Sequence, residues 1–473
     1  MEAAGVVRQL FAELQLPWPG DERLSLSGSE PALPSSFAIG TAAQSSMAAA
    51  ALAASEYGRM AGGPATVVSS NMRHAALECC SHFAIDGVAP NLWDKFSGLY
   101  ETADGFVRMH TNFAHHRDGA LAILGLEANT ANKADVQNVL RTWAAVDFET
   151  VATERGLVVS KLRSRAEWLA HPQAQFVQNL RLVHEEVIQP AHSKIIAKNV
   201  IKPQTSGLNS SKNTPNRPLE GLKVLELTRI LAGPVCGRTL AAYGAEVMLI
   251  NGPHLPNIDA IADTSRGKRS AQLDLRTALG KATLRALVAE ADVFVQGYRP
   301  GGLEALGFGP QALAEINPRI VAVTLSAYGH AGPWAHKRGF DSLVQTATGF
   351  NTDEQAAAGT ALPQTLPAQI LDYATGHLMA FAAIAGCIKR NADEAPTAKH
   401  MRLSLARTGE WLRSLGRLPD GFAAPKPNFA GYVSTDPSGF GALTALNHAV
   451  SFDGMPATWC LPSMPPGSHP AAW

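Results

Sequence analysis

Cysteine is scarce and unpatterned. There are five, Cys79, Cys80, Cys236, Cys387 and Cys460, with no Cys-x-x-Cys pair and no ligand-like spacing. An odd, scattered set excludes a disulfide framework and a cysteine-based zinc site, and fits a reducing compartment. Net charge is absent too: 40 basic residues balance 40 acidic ones. No general field exists to gather nucleic acid or an anionic membrane. The opening Met1-Glu2-Ala3-Ala4-Gly5 has no basic stretch, which argues against a cleaved signal or an Arg-rich transit peptide. The most apolar runs, Met47–Ala54 and Leu378–Ile388, are too short to span a bilayer, and the final Pro-Ala-Ala-Trp is not a peroxisomal address. The expectation is a cytoplasmic protein with no nucleic-acid or membrane partner.

What is present is core-forming material. The 473 residues are 46% apolar and 17% charged, enough for two or three units that each bury a core. Composition breaks at about 198–218, where polar and turn-forming residues predict a surface linker. Beyond it, short β-rich runs alternate with helical segments. Leu222–Leu227, Glu246–Asn251, Asp292–Gln296 and Ile320–Ser326 read as strands, and Ala232–Ala245, Thr277–Ala291 and Pro310–Ile316 as helices. This predicts an α/β, Rossmann-like parallel sheet, with ligands at the carboxyl ends of its strands.

Before the linker the pattern changes. Gly98–His110 reads as a hairpin turning at Ala103-Asp104-Gly105, followed by helices at Arg117–Leu124, Ala134–Trp143, Phe148–Arg155 and Ser164–Ala170, the last capped by Ser164. The expected units are a helical part over 1–90, a small α+β domain over 91–175, a return segment and linker over 176–217, a large domain over 218–412 and a Pro/Gly-rich segment over 413–473. One internal repeat crosses these units. Ile39–Arg59 resembles Ile370–Arg390, and each leads to a helix expected to hold Ser and Arg three apart, Ser70 with Arg73 and Ser404 with Arg407. Thr41 in the first copy stands where Asp372 stands in the second.

Asp372 closes the apolar run Gln369-Ile370-Leu371 and opens a long helix of small residues. By local pattern it is an N-cap, satisfying backbone N–H groups that the first turn leaves free. A helix start also stabilises an ionised carboxylate, which leaves a chemical role open.

Six motifs in order bear on that role. They are Leu219-Glu-Gly-Leu-Lys-Val-Leu-Glu-Leu-Thr-Arg-Ile-Leu-Ala-Gly-Pro234 with Leu240-Ala-Ala-Tyr-Gly-Ala-Glu-Val247, then Arg266–Arg276, Ala291–Gly307, Asn317-Pro-Arg-Ile-Val321, Leu325-Ser-Ala-Tyr-Gly329 and Leu371-Asp-Tyr-Ala-Thr-Gly376. Over about 218–390 the chain resembles the family III CoA-transferases, a group that includes the α-methylacyl-CoA racemases. Residues 91–175 resemble the family's small domain, which here precedes the large one. The resemblance implies a CoA-transferase that moves CoA from an acyl-CoA to a small carboxylic acid, with CoA as substrate and no permanently bound cofactor. It also implies an intertwined homodimer.

By the same resemblance Asp372 is the nucleophile that forms a mixed anhydride and then an aspartyl-CoA thioester, with helix N-terminal amides near Thr375 and Gly376 as charge stabilisers. Leu273 and Arg276 match positions that contact the adenine and its phosphate. Tyr298, Gly302 and Leu306 match the loop around the pantetheine, and Ile230 the mouth of the site. The loop 350–368 is expected to set acceptor choice.

Several positions depart from the family. Leu231 replaces a frequent Gln, Gly252 an Arg, Gly297 an Asn and Ala327 a Lys. Lys268, Arg269 and His254 are the candidates to replace the missing cations. The racemases' Gly-His-Asp run is Gly339-Phe340-Asp341 here, so two-base proton transfer lacks a partner. Asp341 itself reads as a turn or cap residue. His110, His115 and His116 lack metal-ligand spacing and are expected at a domain interface, with no metal. A racemase or isomerase, and a non-catalytic paralogue that keeps the fold, are the alternatives.

Overall fold

A computed structural model describes residues 2–188, 217–395 and 397–473. The expected linker at about 198–218 falls almost wholly outside the described residues.

The centre is a seven-stranded sheet. Its order is Lys268–Gln272, Glu246–Asn251, Lys223–Leu227, Val293–Gln296, Val321–Ser326, Lys399–Ser404, His184–Val187. The first six are parallel and the last pairs antiparallel along the Lys399–Ser404 edge. All four strands expected from the apolar runs are present. Three more join them, and these were not legible because Lys268–Gln272 and Lys399–Ser404 carry Lys, Arg, His and Gln where β-branched residues were sought.

Both faces are covered, as a parallel sheet requires. On one, Val224, Val247, Val295 and Val323 pack under the helices Ala232–Ala242 and Ile370–Ala392, with Ile39–Met60 layered over the latter. On the other, Leu225, Met248, Phe294 and Ala322 pack under Ala278–Glu290 and Pro310–Ile316. The Ile370–Ala392 helix is long and apolar enough to cross a membrane, contrary to the length expected from its core run, but it is buried in the protein interior. Gly376 lets it approach closely: a Cβ there would lie 2.5 Å from the carbonyl oxygen of Ala232.

The two copies of the internal repeat lie side by side. Ile39–Met60 packs on Ile370–Ala392, and each is followed by a strand and a helix, Val68–Asn71 with Met72–Glu78 and Lys399–Ser404 with Leu405–Ser414. The Ser/Arg match sits differently from expectation. Ser404 ends its strand and caps the next helix by accepting from Arg407 N, whereas Ser70 lies inside its strand and Asn71 does the capping.

The remaining chain ties these parts together. Val450–Phe452 pairs with Val68–Asn71, and Gly441–Leu446 with Phe83–Ile85. The last residues return to the main sheet, where His469 N donates to Ser270 O and Trp473 Nε1 to Leu287 O. A buried charge cluster spans these joins: Arg238 pairs with Asp263 and, at 3.1 Å, with Glu78, whose carboxylate also holds His448 Nδ1 at 2.9 Å.

Residues 98–161 carry the hairpin Gly98–Thr102 and Gly105–Met109, extended by Val159–Lys161. The expected helices are present as Ala114–Ile123, Lys133–Leu140, Ala145–Glu154 and Arg165–Ala170, with Ser164 capping the last in a capping box with Glu167. This small unit grips the loop before Asp341. Glu149 binds Lys337 at 2.7 Å and Arg163 in the same buried knot, and Lys337 lies 3.8 Å over the ring of Trp334.

Candidate active site

Asp372 is the third residue of the Ile370–Ala392 helix, and Gln369 is its N-cap, so the capping reading of Asp372 does not hold. The capping carboxylate comes from elsewhere. Asp341 opens the helix Asp341–Ala347, and its Oδ2 accepts from the backbone N–H of Asp372 at 3.0 Å. Gln345, one turn on, donates to Asp341 through Nε2 and accepts from Leu366 N at 3.0 Å, which ties the 350–368 segment, whose first half is the helix Phe350–Ala358 rather than loop, to the pair. Thr375 and Gly376 lie in the second turn, where intrahelical bonds occupy their N–H groups. They are not free to stabilise an oxyanion, and Thr375 Oγ1 instead donates to Thr408 Oγ1 at 2.7 Å.

Both carboxyls are buried, Asp341 completely and Asp372 to 5% exposure. Burial disfavours their charged forms and each opposes ionisation of the other. Asp341 is pushed up to about 6 by burial, with its hydrogen bonds and Arg108 pulling the other way. Asp372 is pushed well above the carboxylate range by burial and by Asp341. The pair therefore holds a proton near neutral pH and titrates as a unit.

The small domain of the same chain faces this pair. Arg108 and His110 alternate on one side of the Gly105–Met109 strand and its continuation, with Trp93 beside both. The His110 ring stacks on Phe340 at 4.2 Å, and burial with the Arg108 charge lowers its pKa to about 3, so it is neutral. Arg108 is buried, its Nε has no partner, and burial pulls it down to about 10. The expected interface role of the histidines is what the geometry shows for His110 and His116. Among the described residues no group of three potential ligands is placed to hold a metal.

The residues matched to CoA positions gather at the carboxyl edge of the sheet. Ile230 sits in the loop after Lys223–Leu227 with φ 78°, a left-handed conformation that a β-branched residue rarely adopts. Leu273, Tyr298 and Leu306 rim the core on the far face of the sheet, with Gly302 in the turn between the last two. Burial raises the Tyr298 hydroxyl. Arg276 is exposed, and its fork is closed on Asp274, Nε to Oδ1 at 2.8 Å and Nη2 to Oδ2 at 2.7 Å. A phosphate would have to displace that carboxylate. The three replacement cations are also engaged. Lys268 is fully buried against Glu226 at 2.8 Å, Arg269 pairs with Glu246 at 3.1 Å, and His254 lies 4.0 Å from Asp274.

Asp341 and Arg108 are the residues that sequence reasoning passed over. Asp341 looks like any loop carboxylate until Asp372 is placed against it. Arg108 and His110 carried a usable signal, the period-2 alternation of polar residues on a strand whose other face is apolar.

Residues 219–416 match the model of CoA-transferase family III. This is the part of the chain that is similar to that family. The chain is 35% identical over 192 residues to a probable fatty acyl-CoA transferase of Mycobacterium tuberculosis, covering 38% of this chain and 48% of the relative. It is 30% identical over 337 residues to an acetyl-coenzyme A transferase of Hypoxylon pulicicidum, covering 68% and 55%. An acyl-CoA transferase of Gibberella moniliformis is 31% identical over 308 residues, covering 62% and 52%. The chain thus spans about half the length of the curated relatives it matches. A crystal structure of a Mycobacterium tuberculosis protein aligns with TM-score 0.39 at 32% identity, over 42% of this chain and 59% of that one. The segment similar to the family contains Asp341, Phe340 and Asp372, whereas Arg108 and His110 come from outside it.

Proposed function

We propose that the chain is a CoA-transferase that moves CoA from an acyl-CoA to a small carboxylic acid, with Asp372 as nucleophile. The observation that carries this is a buried Asp372 paired with Asp341 at the seam where the chain's own small domain meets the segment similar to family III. Three relatives that bear acyl-CoA or acetyl-CoA transferase names support the chemistry.

The steps follow from a carboxylate nucleophile. Ionised Asp372 attacks the acyl-CoA carbonyl, the C–S bond breaks, and CoA leaves as thiolate from a mixed anhydride. The thiolate attacks the Asp372 acyl carbon, releasing the donor carboxylate and leaving an aspartyl-CoA thioester. The acceptor carboxylate attacks that thioester, forms a second anhydride and releases the thiolate. Thiolate attack on the acceptor acyl carbon gives the new acyl-CoA and frees Asp372.

Asp341 has two tasks in this scheme. It caps the Asp372 helix, and it is the neighbouring acceptor for the proton that burial and its own charge hold on Asp372, which must leave before Asp372 attacks. CoA lies along Ile230, Leu273, Tyr298, Gly302 and Leu306 at the sheet edge, and Arg276 takes a phosphate by exchanging it for Asp274. The site draws both domains from one chain, so a homodimer would not be needed to complete it. Phe340 offers no exchangeable proton, which disfavours a racemase.

The test is trapping. The full chain is incubated with short acyl-CoAs, treated with borohydride or hydroxylamine, and mapped by mass spectrometry. Label at Asp372 that is absent from Asp372→Asn is the expected result. A folded wild-type protein that takes no label from any donor sinks the proposal in favour of a non-catalytic paralogue.

A further inference from the structure

Most buried cations here are neutralised. Glu149 serves Arg163 and Lys337, Asp263 serves Arg238 and Arg266, and Glu226 serves Lys268. The seam between the strand-one loop and the small domain is different. Arg229 follows Lys223–Leu227, its guanidinium 5.0 Å over the ring of Phe113 and its Nε buried without a partner. Arg338 arrives from the loop before Asp341, donates to Gly156 O at 2.7 Å and places Nη1 3.1 Å from His116 Nε2. The rings of His115 and His116 are 4.0 Å apart, and His116 Nδ1 is buried without a partner. Arg299, beside Tyr298, is close enough to repel Arg338.

Among the described residues, none of Arg229, Arg299 and Arg338 forms an ion pair with an acid. Cations held together without a counter-charge repel one another, and a bound oxyanion relieves that cost. The cluster is also near the chemistry. The rings of Phe113 and Phe340 are 6.5 Å apart, and Phe340 directly precedes Asp341.

We infer that Arg229, Arg338 and Arg299, with His116 between domains, form a subsite for an oxyanion of the substrate, one aromatic layer from the Asp341–Asp372 pair. The inference rests on the CoA-transferase reading for the identity of that substrate. The oxyanion is a CoA phosphate or the distal carboxylate of a dicarboxylic acyl group or acceptor. Either way the subsite restores positive charge that Gly252 and Ala327 do not supply and that Lys268 and Arg269 have committed elsewhere.

The experiment is calorimetric titration of the full chain and of Arg229→Gln, Arg338→Gln and Arg299→Gln with CoA, pantetheine, glutarate and pyrophosphate. Arg299 is exposed, so its variant keeps the test open where a buried change prevents folding. A loss of about 10-fold or more per charge is expected for the true ligand class. Weakened CoA with unchanged pantetheine assigns the phosphate, and weakened glutarate with unchanged CoA assigns the carboxylate. Unchanged affinity for CoA, glutarate and pyrophosphate in all folded variants overturns the subsite. A wild-type chain that binds glutarate or pyrophosphate through these arginines, but neither CoA nor pantetheine, keeps the subsite and removes the CoA reading.

Discussion

The carboxylate of Asp341 accepts a hydrogen bond from the backbone N–H of Asp372 at 3.0 Å, so one buried acid caps the helix that carries the other. Capping usually falls to the residue at the helix boundary, and Gln369 at that position makes no side-chain cap bond. The helix end is thus stabilised by a group that also controls the charge state beside it.

Asp341→Asn tests the electrostatic half of that statement. Asp341 is raised to about 6 in the folded chain, so between the unfolded carboxylate range and about 6 the folded state binds more protons. Stability is therefore fully present below the unfolded value and falls as pH rises through 6. Urea titrations at a series of pH values should show Asp341→Asn losing about 3 kcal/mol less than the wild type across this window, the remaining loss coming from Asp372, which burial raises in both proteins. A parallel pH dependence in the two proteins contradicts the assignment.

Glu149→Gln should loosen the small domain. It leaves Arg163 and Lys337 buried without their counter-charge, at a cost of about 3–5 kcal/mol. Denaturant melts read the loss directly. The accompanying expectation is a fall in turnover, since the same loop leads into Phe340 and Asp341.

Ile230→Gly should relieve the left-handed backbone at the site mouth, where Ile230 has φ 78°. A gain of about 1 kcal/mol in stability is expected, together with a severalfold rise in KM for the CoA donor as the apolar contact is lost. A stability loss would mean that packing outweighs strain.

Dilution separates a one-chain site from a shared one. Arg108, His110, Asp341 and Asp372 meet within one chain. Specific activity per chain should stay constant from micromolar to low nanomolar concentration, with the oligomeric state followed by sedimentation. A fall that tracks dissociation would show that a second copy completes the site.

Much of the large domain was legible because parallel strands buried on both faces leave uninterrupted apolar runs, as in Glu246–Asn251 and Val321–Ser326. The strand Lys268–Gln272 escaped because Lys268 is buried by virtue of Glu226, a partner on another strand. Asp372 could be singled out from its local run and the motif around it. Its dependence on Asp341 could not, because a hydrogen bond across 31 residues leaves no periodic trace. The unpaired arginines were illegible for the same reason: nothing local tells Arg163, which has Glu149, from Arg229, which pairs with no acid among the described residues. The closing of the terminal segments on each other was hidden as well, since Val450–Phe452 and Val68–Asn71 find each other only in space.

The Glu78–Arg238–His448 cluster bears on how the protein is made. Glu78 and His448 are 370 positions apart, and a chain synthesised from its N-terminus exposes the acid long before its imidazole exists. Until then the carboxylate must stay hydrated, and the helix Met72–Glu78 cannot finish docking. Completion of the core therefore waits until His448 has been translated, and a chain stalled or clipped before His448 should present this helix to chaperones or proteases.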